Sequence, residues 1–232
     1  MRVGIAQFPG SNCDYDALHV LRDVIHADTQ LIWHTEFKAN QFDAAILPGG
    51  FTYGDHLRAG VIAAFSPAMD EIREMALQGK PVLGICNGFQ ILVESGLLPG
   101  ALMQNTSLRF VCKWINLRVE NTRTPFTRLF PPKSIIHLPV AHAEGRFVVE
   151  PETLSDLRTN DRVVFSFCDE KGETNQEANP NGAIENIAGI CNEEGNVMGL
   201  MPHPERASES LLTPSGCTDG LLIFQSMLNG GV

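Results

Sequence analysis

The sequence predicts an α/β protein in which an open, mostly parallel central sheet is flanked by helices, with extra β-structure in the C-terminal half. Two observations carry this prediction. Over the first hundred residues, short apolar runs alternate with helical patterns, which is typical of parallel strands joined by crossover helices. In the second half, apolar runs of strand length predominate. No repeat, low-complexity tract or linker divides the 232 residues, so we predict a single domain over residues 1–232.

Four apolar runs in the first half have the length of buried strands. The first is followed by the turn-forming pair Pro9-Gly10, and the third is closed by Pro48-Gly49-Gly50. The predicted strands cover residues 3–8, 31–33, 44–47 and 81–85.

Three helical patterns connect or follow these runs. Residues 14–26 carry apolar side chains at helical spacing. A longer helical stretch covers residues 58–78, and Ser66-Pro67 favours a restart within it, because Ser suits an N-cap and Pro the first turn. Gly79 is well placed to end that helix. A further helix is predicted over residues 87–95.

The second half has more β character. One polar stretch rich in Asn and Gly, residues 169–186, is typical of a turn or a long loop. A closing helix is predicted at residues 221–228. The predicted strands cover residues 110–119, 134–138, 146–150, 163–168, 189–191 and 197–201.

Composition narrows the classes of function. The formal net charge is −10 and the 17 basic residues are dispersed, whereas a nucleic-acid binder needs a clustered cationic face. No segment approaches the roughly 18 consecutive apolar residues of a membrane helix. The apolar run at the N-terminus is also too short for a secretory signal. We therefore expect a cytoplasmic protein that binds neither nucleic acid nor membrane.

The six cysteines show no C-x-x-C spacing. Neither a zinc site nor a redox couple is therefore indicated, and we predict no metal site. The default expectation for each is a reduced, buried and inert thiol. Only Cys86 has surroundings that argue otherwise.

Cys86 lies in Gly84-Ile85-Cys86-Asn87-Gly88, between a predicted strand and a predicted helix. This is the cysteine counterpart of the nucleophile elbow. The glycines remove side chains that would collide in a tight turn, and the turn should project the sulfur into solvent at a helix N-terminus, which favours thiolate. The backbone N–H of Asn87 would point at a developing oxyanion. A structural cysteine at an ordinary strand–helix junction is the alternative.

His203 is the candidate base among seven histidines. It lies in Met201-Pro202-His203-Pro204-Glu205, directly after an apolar run, and the two prolines favour an extended chain and oppose a helix. In an extended chain, residues two apart point the same way, so Glu205 should hold one imidazole nitrogen while the other faces Cys86. A loop histidine is the alternative for His203 taken alone.

The residues that carry these features also match a known family. The chain resembles class I (triad) glutamine amidotransferases, and within them the glutaminase subunits of phosphoribosylformylglycinamidine synthases. The class resemblance rests on Pro48-Gly49-Gly50, the elbow with Phe89-Gln90, and His203-Pro204-Glu205. The narrower resemblance rests on four further segments, which read FPGSNCD at residues 8–14, GGFTYGDHLRAG at 49–60, NTSLRF at 105–110 and AHAEGRF at 141–147.

The resemblance implies a flavodoxin-like fold and a set of site residues. It implies the triad Cys86, His203 and Glu205, and it adds a second oxyanion donor, Gly50, beside Asn87. It implies glutamine-binding positions at Gln90, Asn105, Ser107 and Phe110.

The remaining motif positions carry weaker expectations. Arg109 is either a pocket residue or a structural ion-pair partner, and we favour the second. His142 and Glu144 belong either to a surface facing a synthetase or to a structural loop. Ala143 stands where the family motif has glycine. Cys13 is expected to be structural, since nothing near it in sequence activates it.

The implied reaction is hydrolysis of L-glutamine to glutamate and ammonia through a Cys86 thioester. The ammonia would go to a partner that makes formylglycinamidine ribonucleotide from formylglycinamide ribonucleotide and ATP. The chain has no phosphate-binding loop of its own, so no cofactor is expected here, and ATP and Mg²⁺ are implied for the partner. The implied partners are a small third subunit and a large synthetase subunit.

Three other functions remain open at this point. The chain could serve a different class I amidotransferase, which copurification with a specific synthetase would reveal. It could be an elbow-cysteine protein of the DJ-1 type, which reactivity with a glutamine analogue would test. It could also be a glutamine-sensing module, which would bind glutamine without releasing ammonia.

Overall fold

Nine strands form one mixed sheet in the computed structural model of the chain, which describes residues 1–229. Two further strands, β5 and β8, pair with each other outside it. Along the chain the strands are Arg2–Gln7 (β1), Asp28–Trp33 (β2), Ala44–Leu47 (β3), Val82–Ile85 (β4), Ala101–Met103 (β5), Val111–Val119 (β6), Ile135–His142 (β7), Arg146–Val148 (β8), Val163–Cys168 (β9), Ile187–Cys191 (β10) and Val197–Leu200 (β11).

The parallel part of the sheet has the order β2-β1-β3-β4-β11. This is the strand order of a flavodoxin-like sheet. Every residue of β3, β4 and β11 is buried, as expected for parallel strands covered on both faces. The predicted α/β class is therefore confirmed, and the apolar runs of the first half are its strands.

The C-terminal half extends the same sheet. Beyond β11 the order continues β10-β9-β6-β7, and each of these pairings is antiparallel. Most of the predicted extra β-structure thus continues the central sheet, whereas β8 pairs with β5 outside it. Each of the six predicted strands is present, with β7 longer than predicted because it continues through the alternating pattern up to His142.

Five helices accompany the sheet within residues 1–229: Asp14–Leu18 (α1), Pro67–Leu77 (α2), Asn87–Glu94 (α3), Pro151–Thr159 (α4) and Leu221–Leu228 (α5). The predicted helix over residues 14–26 is α1 followed by a π-helical segment, His19–Val24, which ends where His26 adopts a φ of +62°. The closing helix is confirmed as α5, and Gly79 follows α2 with a φ of +74°.

The prediction of a helix over residues 58–78 is wrong for its first half. Leu57 and Gly60 have φ values of +69° and +81°, which are incompatible with a right-handed helix. A Cβ on Gly60 would lie 2.8 Å from the backbone nitrogen of Ile91, so this stretch packs closely against α3. The helix begins at Pro67, after an extended Ser66, as the predicted restart indicated.

One strand, β5, and one α-helix, α4, were missed. In α4 only Leu157 is buried, so the apolar period is weak. The available signals were Pro151 at the first helical position, an acidic first turn and Arg158 in the last turn.

No helix in the described part of the chain is long and apolar enough to cross a membrane. One connected cluster of buried apolar side chains runs from Val3 to Met227.

Candidate active site

Four chain segments meet at the carboxyl edge of the parallel strands. Cys86 directly follows β4, Gly50 comes three residues after β3, and His203 comes three residues after β11. The turn after β1 brings in Cys13, whose backbone N–H donates to the Gly49 carbonyl at 3.1 Å. Open α/β sheets bind ligands at this edge, so the topology places these residues where a site is expected.

The elbow at Cys86 has the strained geometry that the sequence predicts. Cys86 has φ +50° and ψ −104°, a conformation that L-residues avoid unless their surroundings impose it. A Cβ on Gly84 would lie 2.7 Å from the Gly88 carbonyl carbon, and one on Gly88 would press against the backbone of Leu47. Both glycines are therefore required for the turn. The Cys86 N–H donates to Leu200 of β11 at 2.8 Å, which holds the elbow against the strand that leads to His203.

The expectation that the elbow projects the sulfur into solvent is wrong for this conformation. Cys86 is only 5% exposed, and its Sγ lies 3.8 Å from the carbonyl oxygen of Ala141. It lines a cleft of about 260 Å³. The cleft is lined by Asn12, Cys13, Gly50, Phe51, Cys86, Phe110, Cys112, Ala141, His203 and Arg206.

His203 and Glu205 form the pair that their spacing predicts. Nδ1 of His203 lies 2.5 Å from Oε1 of Glu205, and both side chains are buried. His203 is extended, and its N–H donates to Pro139 at 2.8 Å. The expectation that prolines exclude a helix here is wrong, since Pro204–Ala207 is a short 3₁₀ helix. Proline suits the first helical position, and this turn presents the carboxylate to the ring.

The electrostatics favour a protonated His203. Burial alone lowers the pKa of this imidazole, but the charge of Glu205 and then that of Cys86 outweigh the burial, and the pKa is raised well above its ordinary value. The neighbouring Cys13 and Cys86 side chains also raise the pKa of the imidazole. The ring is therefore poised to carry a proton beside the Cys86 sulfur, as an acid for a leaving amine must.

Of the two predicted oxyanion donors, Asn87 belongs to the elbow and Gly50 lies in the segment after β3. The N–H of Asn87 is the first of α3, and such N–H groups have no partner within the helix. Gly50 lines the cleft, and a Cβ there would lie 2.8 Å from the Gly10 carbonyl oxygen. Glycine is thus required at this close approach. Their role as oxyanion donors stays a prediction.

The predicted glutamine-binding residues are placed differently from one another. Phe110 lines the cleft. Gln90 is buried, its Nε2 donates to the Glu144 carbonyl at 2.6 Å, and its Oε1 accepts from Asn87 at 2.8 Å. Asn105 is fully buried. Ser107 is exposed, with its hydroxyl accepting from the Arg109 N–H at 3.3 Å.

Asn105 uses its whole side chain to join two loops. Its Nδ2 donates at 2.9 Å to the carbonyls of Arg109 and His142. Its Oδ1 accepts from the Gly145 N–H and from His142 Nδ1, both at 3.1 Å. These four bonds satisfy the amide completely. Asn105 therefore shapes the wall behind the cleft, and its contact with glutamine stays a prediction.

His142 is part of this buried network. It is 3% exposed, and its Nε2 lies 3.5 Å from Asn181 Nδ2. Of the two expectations, a structural role therefore applies to His142, as the last residue of β7, and the surface role does not. Glu144 is half-buried, and its carbonyl holds Gln90. Arg109 is exposed, and no ion pair within residues 1–229 involves it.

Cys13 is the site residue that the sequence analysis missed. Arg206 Nη2 donates to its Sγ at 3.0 Å and His203 lies beside it, but the pKa of the thiol is still raised, in agreement with the expectation that nothing activates Cys13. Burial raises the pKa of the thiol, while the hydrogen bond to His203 and the charge of Arg206 oppose that effect. Its position after β1 could have indicated that it belongs to the site, because residues that follow the parallel strands lie together at the carboxyl edge of the sheet.

Comparison with known proteins agrees with this geometry. A family model described as a CobB/CobQ-like glutamine amidotransferase domain matches residues 1–229. The chain is 54% identical to phosphoribosylformylglycinamidine synthase subunit PurQ of Methanosarcina acetivorans, over 98% of this chain and 97% of that protein. It is 50% identical to the same subunit of Aquifex aeolicus, over 99% and 100%.

Solved structures show the same relationship. The chain superposes on a chain in the structure of PurLQS from Thermotoga maritima with a TM-score of 0.85. The two chains are 44% identical, and the match covers 98% of this chain and 97% of the other. Another glutamine amidotransferase from Thermotoga maritima, with a TM-score of 0.56 and 16% identity, covering 91% and 78%, shares the fold. The chain therefore belongs to the glutamine amidotransferase family, within the group of phosphoribosylformylglycinamidine synthase PurQ subunits.

Proposed function

We propose that the chain is the glutaminase subunit of phosphoribosylformylglycinamidine synthase in purine biosynthesis. It hydrolyses L-glutamine to glutamate and ammonia and supplies the ammonia to a partner synthetase. The observation that carries the proposal is the strained Cys86 elbow, which shares a cleft with a His203 imidazole held by Glu205. Two relatives that bear the name of this subunit are 50% and 54% identical to the chain and align with 98–99% of it.

The chemistry follows from the positions of these groups. The Cys86 thiolate attacks the γ-carbonyl carbon of glutamine, and the carbonyl oxygen becomes an oxyanion that the N–H groups of Gly50 and Asn87 bind. When this tetrahedral intermediate collapses, the C–N bond breaks and the His203 imidazolium gives its proton to the departing ammonia. A γ-glutamyl thioester remains on Cys86.

Water completes the cycle. His203, now neutral, takes a proton from a water molecule that attacks the thioester carbonyl. The C–S bond then breaks, glutamate leaves, and the Cys86 thiolate and His203 imidazolium are restored. Glu205 keeps Nδ1 of the ring occupied throughout, so that the other nitrogen, Nε2, carries both proton transfers.

We propose that glutamine enters past Phe110 and that Gln90, Asn105 and Ser107 contribute to binding it. The bonds of Asn105 favour an indirect contribution, since its amide fixes the backbone on which Ser107 and Phe110 lie. Gln90 would have to exchange a bond with Asn87 or with the Glu144 carbonyl for one with the ligand.

The acceptor reaction belongs to partner subunits in this proposal. The Thermotoga maritima relative is named as part of PurLQS. We propose that a large synthetase subunit binds ATP, Mg²⁺ and formylglycinamide ribonucleotide, that a small third subunit completes the complex, and that the reaction takes place in the cytoplasm. The glutaminase of the isolated chain should then be slow and should accelerate in the complex.

Replacing the nucleophile in the reconstituted complex tests the function. We expect Cys86→Ala and Cys86→Ser to abolish formation of formylglycinamidine ribonucleotide from glutamine, while ammonium salts still support it. Cys217→Ala is the matched control, since this thiol does not line the cleft, and it should retain both activities. Undiminished glutamine-dependent synthesis by Cys86→Ala would contradict the proposal.

A further inference from the structure

The side chain of Asn87 takes no part in the chemical steps of the hydrolysis, although its backbone N–H is one of the two proposed oxyanion donors. Asn87 is the first residue of α3 and is completely buried. Burying a side-chain amide costs free energy unless its polar atoms are hydrogen-bonded. The partners of this amide therefore indicate what it does.

Both polar atoms of the Asn87 amide are paired. Its Oδ1 accepts from the Thr52 backbone N–H at 3.2 Å. Its Nδ2 donates to Gln90 Oε1 at 2.8 Å and lies 3.5 Å from Asp55 Oδ1. The Thr52 N–H can only donate, which fixes the orientation of the Asn87 amide. Gln90 donates to the Glu144 carbonyl, which can only accept, so Gln90 presents its oxygen to Asn87.

The bond to Thr52 joins the elbow to residues 48–55, the segment after β3 that carries Gly50. Within the described part of the chain, the hydrogen bonds between this segment and residues 86–90 are both made by the Asn87 side chain. This amide is therefore the polar link between the two chain segments that supply the proposed oxyanion donors.

The other side of the same segment is held by the turn after β1. The Phe51 N–H donates to the Gly10 carbonyl at 3.0 Å, and the Tyr53 N–H donates to the Pro9 carbonyl at 2.7 Å. Successive N–H groups thus alternate between two supports, and the N–H of Thr52 is the one directed at the elbow. Removing its acceptor would leave the segment attached to the turn after β1 but not to the nucleophile.

The residues that follow Thr52 have a strained backbone. Tyr53, Gly54 and Asp55 have φ values of +53°, +66° and +52°, a region that residues other than glycine rarely adopt. Such a conformation persists only where the surroundings impose it. The Asn87 amide contacts this strained turn at both ends, through Thr52 and Asp55.

We propose that the Asn87 side chain is a positioning residue for the oxyanion hole, where it fixes the Gly50 N–H relative to the N–H of Asn87 itself. This inference rests on the proposed glutaminase function and deepens it. The amide acts through the backbone of Thr52, two residues beyond Gly50. Oxyanion donors are effective because they are in place before the charge develops. Loss of the link should therefore slow the chemical step more than it weakens the binding of glutamine.

An amide that served only the stability of the fold would behave differently. Asn196 provides that comparison, since it is 4% exposed and its Nδ2 donates to the carbonyls of Ala76 and Lys80 at 2.8 and 3.1 Å. It precedes β11, at the end of the parallel sheet opposite to the cleft. Asn196→Leu is therefore the matched control for a buried, hydrogen-bonded asparagine.

Kinetics of Asn87→Leu in the reconstituted complex test the proposal. Leucine has nearly the shape of asparagine but lacks both polar atoms. We expect kcat for glutamine hydrolysis to fall by a factor on the order of 10²–10³, as for the loss of one oxyanion donor, while KM changes by less than about threefold. Asn196→Leu should lose stability but keep kcat within about threefold of the parent value.

Alkylation of Cys86 by iodoacetamide separates the oxyanion hole from the nucleophile. The thiolate forms a C–S bond and iodide leaves, so no oxyanion develops. Asn87→Leu should therefore be alkylated at Cys86 within about threefold of the parent rate. Mass spectrometry of the peptide that contains Cys86 measures this rate, and circular dichroism checks that the variant is folded.

Amide hydrogen exchange tests the contact itself. In Asn87→Leu, exchange of the Thr52 N–H should accelerate at least tenfold, whereas exchange of the Phe51 and Tyr53 N–H groups should change by less than about threefold. Asn87→Ser carries the same kinetic and exchange predictions, because its shorter side chain also leaves the Thr52 N–H without its acceptor. It keeps the test valid if the leucine variant does not fold.

Three outcomes would overturn the proposal. One is a kcat in the folded Asn87 variants within about threefold of the parent value. Another is an equal fall in kcat and in the alkylation rate, which would place the effect on the nucleophile. The third is a rise in KM larger than the fall in kcat, which would place it on glutamine binding. In each case Cys86→Ala would still abolish glutamine-dependent synthesis, so the proposed function is tested separately.

Discussion

The Nδ1 atom of His203 lies 2.5 Å from the Oε1 atom of Glu205, in a pocket where both side chains are almost completely buried. A hydrogen bond this short to a carboxylate fixes both the tautomer and the plane of the ring. The nitrogen left for catalysis is therefore Nε2, which is turned away from the carboxylate.

Removing the charge of Glu205 should cripple glutamine hydrolysis without abolishing it. In Glu205→Gln the amide can still accept from Nδ1, but it no longer stabilises the imidazolium. We expect kcat to fall by a factor on the order of 10²–10⁴ with a small change in KM. Steady-state ammonia release in the complex measures this. Glu209→Gln, a partly exposed carboxylate beside His19, is the control, and an equal loss in both variants would contradict the assignment.

Gly88→Ala should unfold the elbow. The new Cβ would overlap the carbonyl oxygen of Leu47, which belongs to a buried strand and cannot move aside. We expect a loss of several kcal/mol, comparable to strong overpacking. Gly96→Ala is the control, because its Cβ meets nothing within 4 Å and only its φ of +74° is unfavourable; it should lose about 1 kcal/mol. Urea denaturation compares the two, and similar losses would refute the explanation.

Asn105→Asp should destabilise the wall behind the cleft. The Asp carboxylate keeps the bond from the Gly145 N–H but faces the carbonyls of Arg109 and His142, which lose their donor. We expect a loss of about 3 kcal/mol at neutral pH, from two unsatisfied carbonyls beside a buried charge. Asn40→Asp, which is exposed, should change stability by less than about 0.5 kcal/mol. A loss below about 1 kcal/mol in Asn105→Asp would show that the network contributes little.

His142 should make the fold sensitive to mild acid. Burial lowers its pKa to about 4 from an ordinary value of 6.5, with the charge of His203 adding to the effect. The folded state thus binds fewer protons than the unfolded state between these values, so stability is complete above pH 6.5 and declines as pH falls towards 4. Between pH 7.5 and pH 5 the loss should be about 2 kcal/mol.

His142→Asn keeps a donor near the position of Nδ1 and removes the titration. Its stability should therefore fall about 2 kcal/mol less than that of the parent over the same pH range. Denaturant midpoints at the two pH values measure the difference. Parallel pH profiles for parent and variant would exclude His142 as the source.

Asp55 should affect the pH dependence of folding stability in the direction opposite to His142. Burial first, and then the charge of Glu144, raise its pKa to about 6 from 3.8. The folded state binds the extra proton, so this carboxyl costs stability as pH rises from about 4 to 6 and above. The group is half-exposed, so we reduce the expected gain of Asp55→Asn at pH 8 to about 1 kcal/mol. Thermal unfolding at pH 8 and at pH 4.5 checks it, since the gain should fall to about a third at the lower pH.

The parallel strands and the triad could be predicted from sequence because local signals determine them. The length and composition of the apolar runs predict β1, β3, β4 and β11 as buried strands. The elbow glycines predict a tight turn without any information about distant residues. His203 and Glu205 are two residues apart, so their pairing needs only a local conformation, even though that conformation is a 3₁₀ turn instead of an extended chain.

Features that depend on distant contacts could not be predicted. The helix is interrupted at Gly60 because the backbone of α3 lies 2.8 Å from the Cβ position there. The side-chain amide of Asn105 is fully hydrogen-bonded to backbone groups that come together only in the folded chain. Cys13 shows the same difficulty. Its importance depends on Arg206 and His203, which lie about 190 residues further along the chain.

The place of β11 in the sheet has a consequence for biosynthesis. This strand inserts between β4 and β10, and it carries His203 to the sulfur. A nascent polypeptide that has emerged only as far as the elbow has the nucleophile on an open sheet edge and lacks its proton carrier. Catalytic competence therefore arises only after His203 has been synthesised and β11 has paired with β4.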